Sequence, residues 1–132
     1  MIENYAAAAI LVNDEGKVLI ILRSNRVSNF RGFWCFPGGS VDDGESAKEA
    51  AARECFEEVS LQVAPMDLIH IGDKDSRKIN VSYFVTDKFS GSVCLNDESD
   101  DYKWADPEEL DEFAMIPFPK NIFMAIINYC KN

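Results

Sequence analysis

Three glutamates near the middle of the chain have the spacing of a metal-binding helix face. Glu54, Glu57 and Glu58 stand at positions i, i+3 and i+4, which are neighbours on an α-helix. On a helical wheel they lie within an arc of about 100°, and the residues one turn earlier, Ala47 and Ala50, leave space above them. Carboxylates this close repel one another. The arrangement therefore favours a bound cation, and Mg²⁺ or Mn²⁺ prefers such oxygen ligands.

A cation on this face would permit phosphate chemistry in an otherwise repellent molecule. The formal net charge is −10, which argues against binding duplex nucleic acid or an anionic membrane surface. A divalent metal would screen an incoming phosphate from that charge, polarise the phosphorus and lower the pKa of a bound water. The alternative for the glutamates alone is a solvated acidic face without a role. The elements that position them therefore decide between the two interpretations.

The glutamates lie in the most clearly predicted helix of the chain, Ala47 to Val59. Ser46 and Glu49 have the spacing of a capping box, in which each side chain bonds an unpaired backbone N–H at the helix start. A second arc of the wheel is apolar and suits packing against a sheet; it consists of Ala51, Ala52, Cys55, Phe56 and Val59. The helix is thus predicted to pack on one side and present its carboxylates on the other.

The flanking segments alternate between predicted strands and helices. Strands are predicted at Tyr5 to Val12, Lys17 to Arg23, Phe33 to Phe36, Leu68 to Ile71 and Ile79 to Thr86, with the start of another at Leu61 to Val63. The first two are expected to form a hairpin across a turn at residues 13–16. Irregular segments are expected at Pro37 to Gly39, Gly72 to Arg77 and the acidic stretch Asn96 to Asp101, and further helices at Pro107 to Phe113 and Pro119 to Cys130. This order predicts an α/β or α+β fold, and 132 residues suit one domain spanning 1–132.

A wider motif surrounds the three glutamates. Five residues separate Gly39 from Glu45, seven more precede Arg53, and Glu54, Glu57, Glu58 and Leu61 follow. This resembles the Nudix box, G-x5-E-x7-R-E-U-x-E-E-x-G-U, where U is a bulky aliphatic residue. The lead-in from Gly32 to Gly39 and the later Tyr102 to Leu110 are also similar to the family, so the resemblance covers about residues 5 to 113.

Two positions depart from the box. Cys55 stands in place of an aliphatic residue, and we expect it to be buried and inert. Ser60 replaces the glycine that ends the helix, and a non-glycine residue in the left-handed conformation costs roughly 1 kcal/mol. Neither change removes a carboxylate.

The resemblance implies a Nudix-like α/β/α sandwich with a mixed central sheet. It implies hydrolysis of a diphosphate linkage in a nucleoside diphosphate derivative, giving a nucleoside monophosphate and phosphoryl-X, with Mg²⁺ or Mn²⁺ as cofactor. Glu54, Glu57, Glu58 and the carbonyl of Gly39 would bind the metal, while Glu45 and Arg53 would pair and hold the loop against the helix. The catalytic carboxylates would be Glu54, Glu57 and Glu98. The general base is either Glu54 or a later loop residue, for which Glu98 is the candidate, with Asp97, Asp100 and Asp101 nearby. Each of these loop residues has an ordinary solvated role as its alternative.

Arginine and aromatic residues are candidates for substrate binding. Arg23, Arg26 and Arg31 could bind phosphates through bidentate hydrogen bonds, and Arg23 is favoured because it ends a strand leading to the site. Trp34, Phe84 and Trp104 could stack on a base, although core packing is the simpler role for each. His70 is the single histidine, which excludes a three-histidine zinc site. We expect it to be a structural strand residue.

Several alternatives remain for the substrate and the assembly. A nucleotide sugar, ADP-ribose or an oxidised deoxynucleoside triphosphate would each fit, as would a small-molecule nucleotide more generally. Residues 23–24, 32 and 36–39 partly resemble the coenzyme A diphosphatases, but Ser28 stands where that subgroup has arginine. A non-catalytic nucleotide sensor would be expected to lose box carboxylates, which are present here. The four cysteines are predicted to be reduced thiols in a cytoplasmic protein, and a homodimer is an open alternative to a monomer.

Overall fold

Two sheets and two α-helices form the structure, a computed structural model that describes residues 4–131. The strands are β1 (Asn4–Leu11), β2 (Val18–Arg23), β3 (Trp34–Cys35), β4 (Gly38–Ser40), β5 (Ile69–Asp75), β6 (Ile79–Thr86) and β7 (Ser99–Ala105). The helices are α1 (Ala47–Val59) and α2 (Lys120–Cys130), with 3₁₀ turns at Pro65–Asp67 and Pro107–Glu112. The prediction of a mixed α+β fold is confirmed.

The mixed sheet has the order β4-β1-β6-β5 and is built around the alanine-rich strand β1. β1 runs parallel to β6 and antiparallel to β4. Alternate residues of a strand face opposite sides, so Ala7 and Ala9 pack in the cluster with α1, whereas Ala8 and Ile10 pack in the cluster with α2. The helices therefore cover the two faces of the sheet, as an α/β/α sandwich requires. A second, antiparallel sheet, β3-β2-β7, adds alternate residues of β2 to both clusters.

The predicted hairpin between the first two strands is wrong. Only one isolated bridge, Val12 to Val18, joins them, and β2 belongs to the other sheet. The reason is that β4 and β6 already occupy both edges of β1. The segment predicted to be irregular at Gly38 supplies one of these partners. A Cβ atom at Gly38 would lie 2.4 Å from the Ala7 carbonyl oxygen, so glycine permits the close pairing here.

Three further boundaries differ from the prediction. β5 continues past Ile71 to Asp75, through a register shift between His70 and Gly72, where Gly72 has φ 145°. β7 begins at Ser99, inside the expected acidic loop. The segment 61–63 contributes only an isolated bridge from Gln62. In each case pairing with another segment determines the boundary: β5 pairs with β6, β7 with β2, and Gln62 with Ser90. Within residues 4–131, no helix has the length and apolar character needed to cross a membrane.

Candidate active site

Helix α1 has the predicted ends. The Ser46 hydroxyl accepts a hydrogen bond from the Glu49 N–H at 3.1 Å, and the Glu49 carboxylate accepts one from the Ser46 N–H at 2.9 Å. At the other end Ser60 has φ 64° and ψ 19°, the left-handed conformation for which the box has glycine. Its hydroxyl donates to the Cys94 carbonyl at 3.1 Å. Cys55 is fully buried, and burial raises the pKa of its thiol to about 12.

Arg53 joins the loop before α1 to the carboxylate face. Its Nε and Nη2 bond the two oxygens of Glu45 at 2.8 and 3.0 Å. Nη1 bonds Glu54 and Glu57, each at 2.9 Å, and Nη2 also donates to the Ser40 carbonyl at 3.0 Å. The hydrogen bonds from Arg53 hold the pKa of Glu45 at about 2. The guanidinium therefore fixes the loop and reduces the repulsion between neighbouring carboxylates.

Glu58 lies in a different environment on the same helix. Its side chain is buried, and its Oε1 accepts a hydrogen bond from the Gly38 N–H at 2.7 Å. Burial, helped by the charges of Glu54 and Glu98, raises the pKa of Glu58 to about 8, although the hydrogen bond from the Gly38 N–H and the charge of Arg23 oppose the shift. Without a cation, this carboxyl is thus substantially protonated near neutral pH.

Glu54 lies directly against the glycine bend. A Cβ atom at Gly39 would lie 2.6 Å from Cδ of Glu54, so only glycine leaves the carboxylate in place. Burial raises the pKa of Glu54, although its bonds to Arg53 lower it in part. Glu98 is among the charges that raise this pKa. The carboxylates of α1 and the later loop therefore act on one another across the site.

The donors gathered here fit a hard divalent cation. The predicted ligands Glu54, Glu57, Glu58 and Gly39 offer only oxygen, the preferred donor for Mg²⁺ and Mn²⁺. As they stand, the side chains of residues 4–131 form no group of three or more acidic, histidine or cysteine residues arranged around a common ion position. Arg53 holds Glu54 and Glu57, and Gly38 holds Glu58. A carboxylate has room for about four such bonds, so these contacts leave capacity for a cation.

A cleft of about 510 Å³ opens beside the glycine bend. Small residues of β1 and the β6 side chains line its floor, and the segment 115–118 forms a wall. Its lining includes Arg23, Gly39, Lys74, Tyr83, Met115 and Phe118. The side chain of Arg23 donates to Asn29 through Nε at 3.1 Å and Nη2 at 2.8 Å, and its charge acts on Glu58. The cleft thus places an apolar chamber next to Gly38 and Gly39, which contact Glu58 and Glu54.

A larger depression, of about 660 Å³, lies on the other flank of α1. Ala52, Phe56 and Phe89 contribute to its lining. The box glutamates line neither cavity, but Gly38, which bonds Glu58, and Gly39, which lies against Glu54, line the smaller one. The smaller cleft is therefore the one associated with the predicted chemistry.

The structure separates the other predicted substrate residues from this cleft. The Arg31 Nε donates to the Val27 carbonyl at 2.7 Å, and Trp34 packs edge-to-face on Phe113 at 5.6 Å; neither is among the cleft-lining residues. The remaining candidates also have structural contacts: Phe84 is in the core, Trp104 stacks on Phe89, and Asp97 lies 3.7 Å from Arg26. His70 bonds Asp73 at 2.9 Å.

Sequence reasoning missed several cleft residues. Lys74 reaches the cleft from β5 and donates through Nζ to the Pro117 carbonyl at 3.0 Å. Phe118 stacks edge-to-face on Phe36 at 5.2 Å. These residues come from segments far apart in the chain, so no local pattern marks them. The one available signal was the position of Phe118 between two prolines, which is typical of a fixed, extended segment.

Comparison with known proteins agrees with this fold. A model of the NUDIX domain matches residues 3–126. The nucleoside triphosphatase NudI of Salmonella paratyphi B is 33% identical over 113 residues, which cover 76% of this chain and 80% of that protein. The solution structure of the E. coli ORF135 protein has a TM-score of 0.81 at 25% identity, covering 97% of this chain and 91% of the other. The MutT protein of Methanosarcina mazei has a TM-score of 0.74 at 26% identity, covering 98% and 96%.

The chain belongs to the Nudix family, whose model spans nearly all of it. It is accordingly a Nudix-type hydrolase, an enzyme acting on phosphoric anhydride bonds. The resemblance inferred from the box is confirmed.

Proposed function

We propose that this hydrolase is a Mg²⁺- or Mn²⁺-dependent nucleotide pyrophosphohydrolase. The observation that carries the proposal is the position of Glu54 directly against Gly39, with buried Glu58 bonded to Gly38, at a glycine bend that lines the same cleft as Arg23. The charges of Glu54 and Glu98 both act on Glu58. Similarity to a nucleoside triphosphatase favours a nucleoside triphosphate as the substrate. The cleft volume is within the range of small-molecule sites.

The chain's own residues divide the work of binding. Glu54, Glu57, Glu58 and the Gly39 carbonyl would hold the cation, which when bound neutralises phosphate charge and makes a water more acidic. Arg23 would bond phosphate oxygens, a role that suits the planar guanidinium. The bidentate contact between Arg53 and Glu45 would keep the loop against α1 and thereby orient the neighbouring carboxylates.

The reaction then requires a base close to the attacking water. Glu54 and Glu98 are the two candidates, and burial raises the pKa of Glu54 towards the range in which a carboxylate accepts a proton readily. The water oxygen forms a bond to a phosphorus, the bond from that phosphorus to the bridging oxygen breaks, and the water proton passes to the base. A nucleoside monophosphate and phosphoryl-X leave; for a triphosphate, the second product is pyrophosphate.

The setting follows from charge and thiol chemistry. With a net charge of −10, we propose a free nucleotide rather than duplex nucleic acid as the partner. Free thiols at Cys35, Cys55, Cys94 and Cys130 support a cytoplasmic location. A homodimer remains compatible with this function.

The test is hydrolysis of a nucleotide panel with Mg²⁺, comparing the intact protein with Glu57→Gln. We expect a loss of at least about a hundredfold in kcat/KM, the scale for removing a key electrostatic group. Glu49→Gln is the matched control, since it lies on the same helix, bonds only the cap and should keep activity. Equal turnover by Glu57→Gln and the intact protein would refute the metal assignment.

The same panel separates the alternatives. Coenzyme A belongs in it, because preferential cleavage of its diphosphate would identify a coenzyme A diphosphatase. Tight nucleotide binding with no hydrolysis by the intact protein would instead indicate a sensor.

A further inference from the structure

Phe30 has an unusual position at the cleft. It lies in the loop between β2 and β3 and lines the cleft, yet it is 45% exposed. Its backbone has φ 51°, and Ser60 is the only other non-glycine residue with positive φ in the described part of the chain. Bulky residues rarely adopt this conformation. The residue therefore combines a strained backbone with an apolar ring in contact with water.

The role of Ser60 as a helix cap accounts for its conformation, but Phe30 ends no helix. Residues held in rare backbone conformations cluster at sites that bind ligands. Nearly half of Phe30 also stays in contact with water in the free protein, so the apolar ring gains only part of the stabilisation that full burial would give. The core offers no reason for this placement, whereas a ligand entering the cleft would cover the ring.

The loop around Phe30 is held in place by the guanidinium of Arg23, the residue proposed above to bind phosphate. Arg23 Nε and Nη2 bond the carbonyl and side-chain oxygens of Asn29, the residue before Phe30. The Arg23 carbonyl accepts from the Gly32 N–H at 3.0 Å, and the Phe33 N–H donates to the Phe30 carbonyl at 3.1 Å. The position of the ring is thus tied to that of the phosphate-binding arginine.

A second aromatic ring supports the first. Phe33 packs edge-to-face on Phe30, with the ring centroids 5.6 Å apart and the planes at 78°. Phe33 does not line the cleft. This geometry restrains the Phe30 ring from one side and leaves apolar surface available to a ligand.

We infer that Phe30 stacks on the base of the bound nucleotide and is a determinant of nucleoside affinity. The inference rests on the proposed function, because it takes the phosphates to lie at Arg23 and the carboxylates. With the phosphates in that position, the flat, apolar base of the nucleotide would occupy the apolar chamber of the cleft next to Phe30. Stacking on an aromatic side chain tolerates any base, so Phe30 contributes affinity without selecting among bases.

The experiment compares Phe30→Gly with Phe33→Ala and Phe30→Trp. Glycine suits the positive φ, so Phe30→Gly removes the ring without straining the loop. Phe33→Ala also removes the contact between the two rings, but it leaves the Phe30 ring at the cleft. We expect Phe30→Gly to raise KM for a nucleoside triphosphate about tenfold, the scale of one stacking contact, with kcat nearly unchanged. Phe33→Ala should change KM about twofold or less, and Phe30→Trp should retain it.

Inhibition by inorganic tripolyphosphate distinguishes stacking from a purely structural role. This probe has no base, so its inhibition constant should be the same for Phe30→Gly and the intact protein. If the binding of tripolyphosphate and that of the nucleotide were weakened equally in Phe30→Gly, the inference would be overturned, and the role of Phe30 would be to keep the loop ordered. An unchanged KM in Phe30→Gly would overturn it as well, and loss of dimerisation in that variant with normal KM would assign the ring to a contact with a second copy.

Failure of the proposed function gives a separate result. If the intact protein hydrolyses no nucleotide, calorimetry with a nucleoside monophosphate still compares the intact protein with Phe30→Gly. Weaker binding by the variant would support stacking in a protein that does not cleave. Absence of binding by the intact protein would refute both proposals.

Discussion

Glu45 and Glu58 belong to one motif but have opposite electrostatic environments. Glu45 receives two bonds from the Arg53 guanidinium, which hold its pKa at about 2. Glu58 is buried with a single backbone N–H on its Oε1, and its pKa rises to about 8. The first carboxylate is bonded directly to a cation, whereas the second bonds a neutral backbone N–H and is affected by Arg23 only through its charge. The contrast supports the proposal that Glu45 maintains the loop structure and that Glu58 binds a ligand of positive charge.

The largest expected effect is the loss of activity in Glu58→Gln. We expect kcat/KM to fall at least about a hundredfold, while the metal-free protein at pH 8 unfolds at the same Tm or higher because no buried charge remains. Glu45→Gln should behave in the opposite way, with a lower Tm and a smaller loss of activity. Thermal unfolding and steady-state kinetics on both variants check the contrast. Equal effects of the two substitutions on both measurements would remove the distinction between them.

The second prediction concerns pH. The raised pKa of Glu58 means that the folded, metal-free protein holds a proton that the unfolded chain releases above its ordinary value of 4.5. The contribution of Glu58 to the free energy of unfolding is therefore largest below about pH 4.5, and it declines as the pH rises to about 8. The decline is on the order of a few kcal/mol at most, since one pKa unit is about 1.4 kcal/mol.

Urea unfolding between pH 5 and pH 8 measures this decline, with EDTA present to remove metal. Glu58→Gln is the control and should lack this contribution, and saturating Mg²⁺ should restore stability most strongly at pH 8. The low pKa of Glu45 acts in the opposite sense, because its contribution is present above its ordinary value of 4.5 and is lost only as pH falls through about 2. A stability that rises steadily from pH 5 to 8 in the intact protein, but not in Glu58→Gln, would contradict the assignment.

A third prediction tests whether activity depends on the glycine bend at Gly39 independently of the contacts made by Arg53. Gly39→Ala would place a Cβ atom 2.6 Å from Cδ of Glu54 and should displace that carboxylate. We expect a loss of about tenfold or more in kcat, because small misplacements of reacting groups are costly. Gly44→Ala is the matched control: Gly44 has φ 80° and no atom within 4 Å of an added Cβ, so it should lower stability by about 1 kcal/mol and keep activity. Loss of activity in both variants would attribute the effect to the loop as a whole.

The smallest effect is expected at the end of α1. Ser60→Gly removes a side chain from a left-handed residue and should stabilise the protein by about 0.5–1 kcal/mol, while the bond from its hydroxyl to Cys94 is lost. Because Ser60 contacts neither Glu45 nor Glu58, the pH dependence described above should not change. Thermal unfolding of the variant checks the sign. A lower Tm would mean that the hydroxyl bond outweighs the backbone strain.

The sequence predicted those parts of the molecule that depend on local spacing. The capping box of Ser46 and Glu49, the extent of α1 and the burial of Cys55 follow from helical periodicity and are confirmed. The paired strands β1 and β6 also follow from short apolar runs. In these segments neighbouring residues determine the outcome.

Pairing between distant segments was beyond the sequence alone. β4 consists mainly of glycine, which has no strand preference, and it is a strand because β1 offers an edge. The prediction of a β1–β2 hairpin was wrong for a related reason, because β4 and β6 occupy both edges of β1. The cleft brings Lys74 and Phe118 together through the register of β5 and the path of the segment before α2, and neither follows from local periodicity.

The run of alanines in β1 has a consequence for the range of molecules that the enzyme could accommodate. Ala6, Ala7 and Ala8 all contribute to the lining of the cleft, but Ala7 and Ala9 pack in the cluster with α1. Because side chains alternate along a strand, the methyl groups of Ala6 and Ala8 lie on the side of β1 opposite to α1. A mutation at Ala6 could make the chamber shallower without shifting the helix, whereas the same mutation at Ala7 would push on the helix itself. Such independence offers a simple evolutionary route by which relatives could acquire new preferences while their hydrolytic apparatus stays intact.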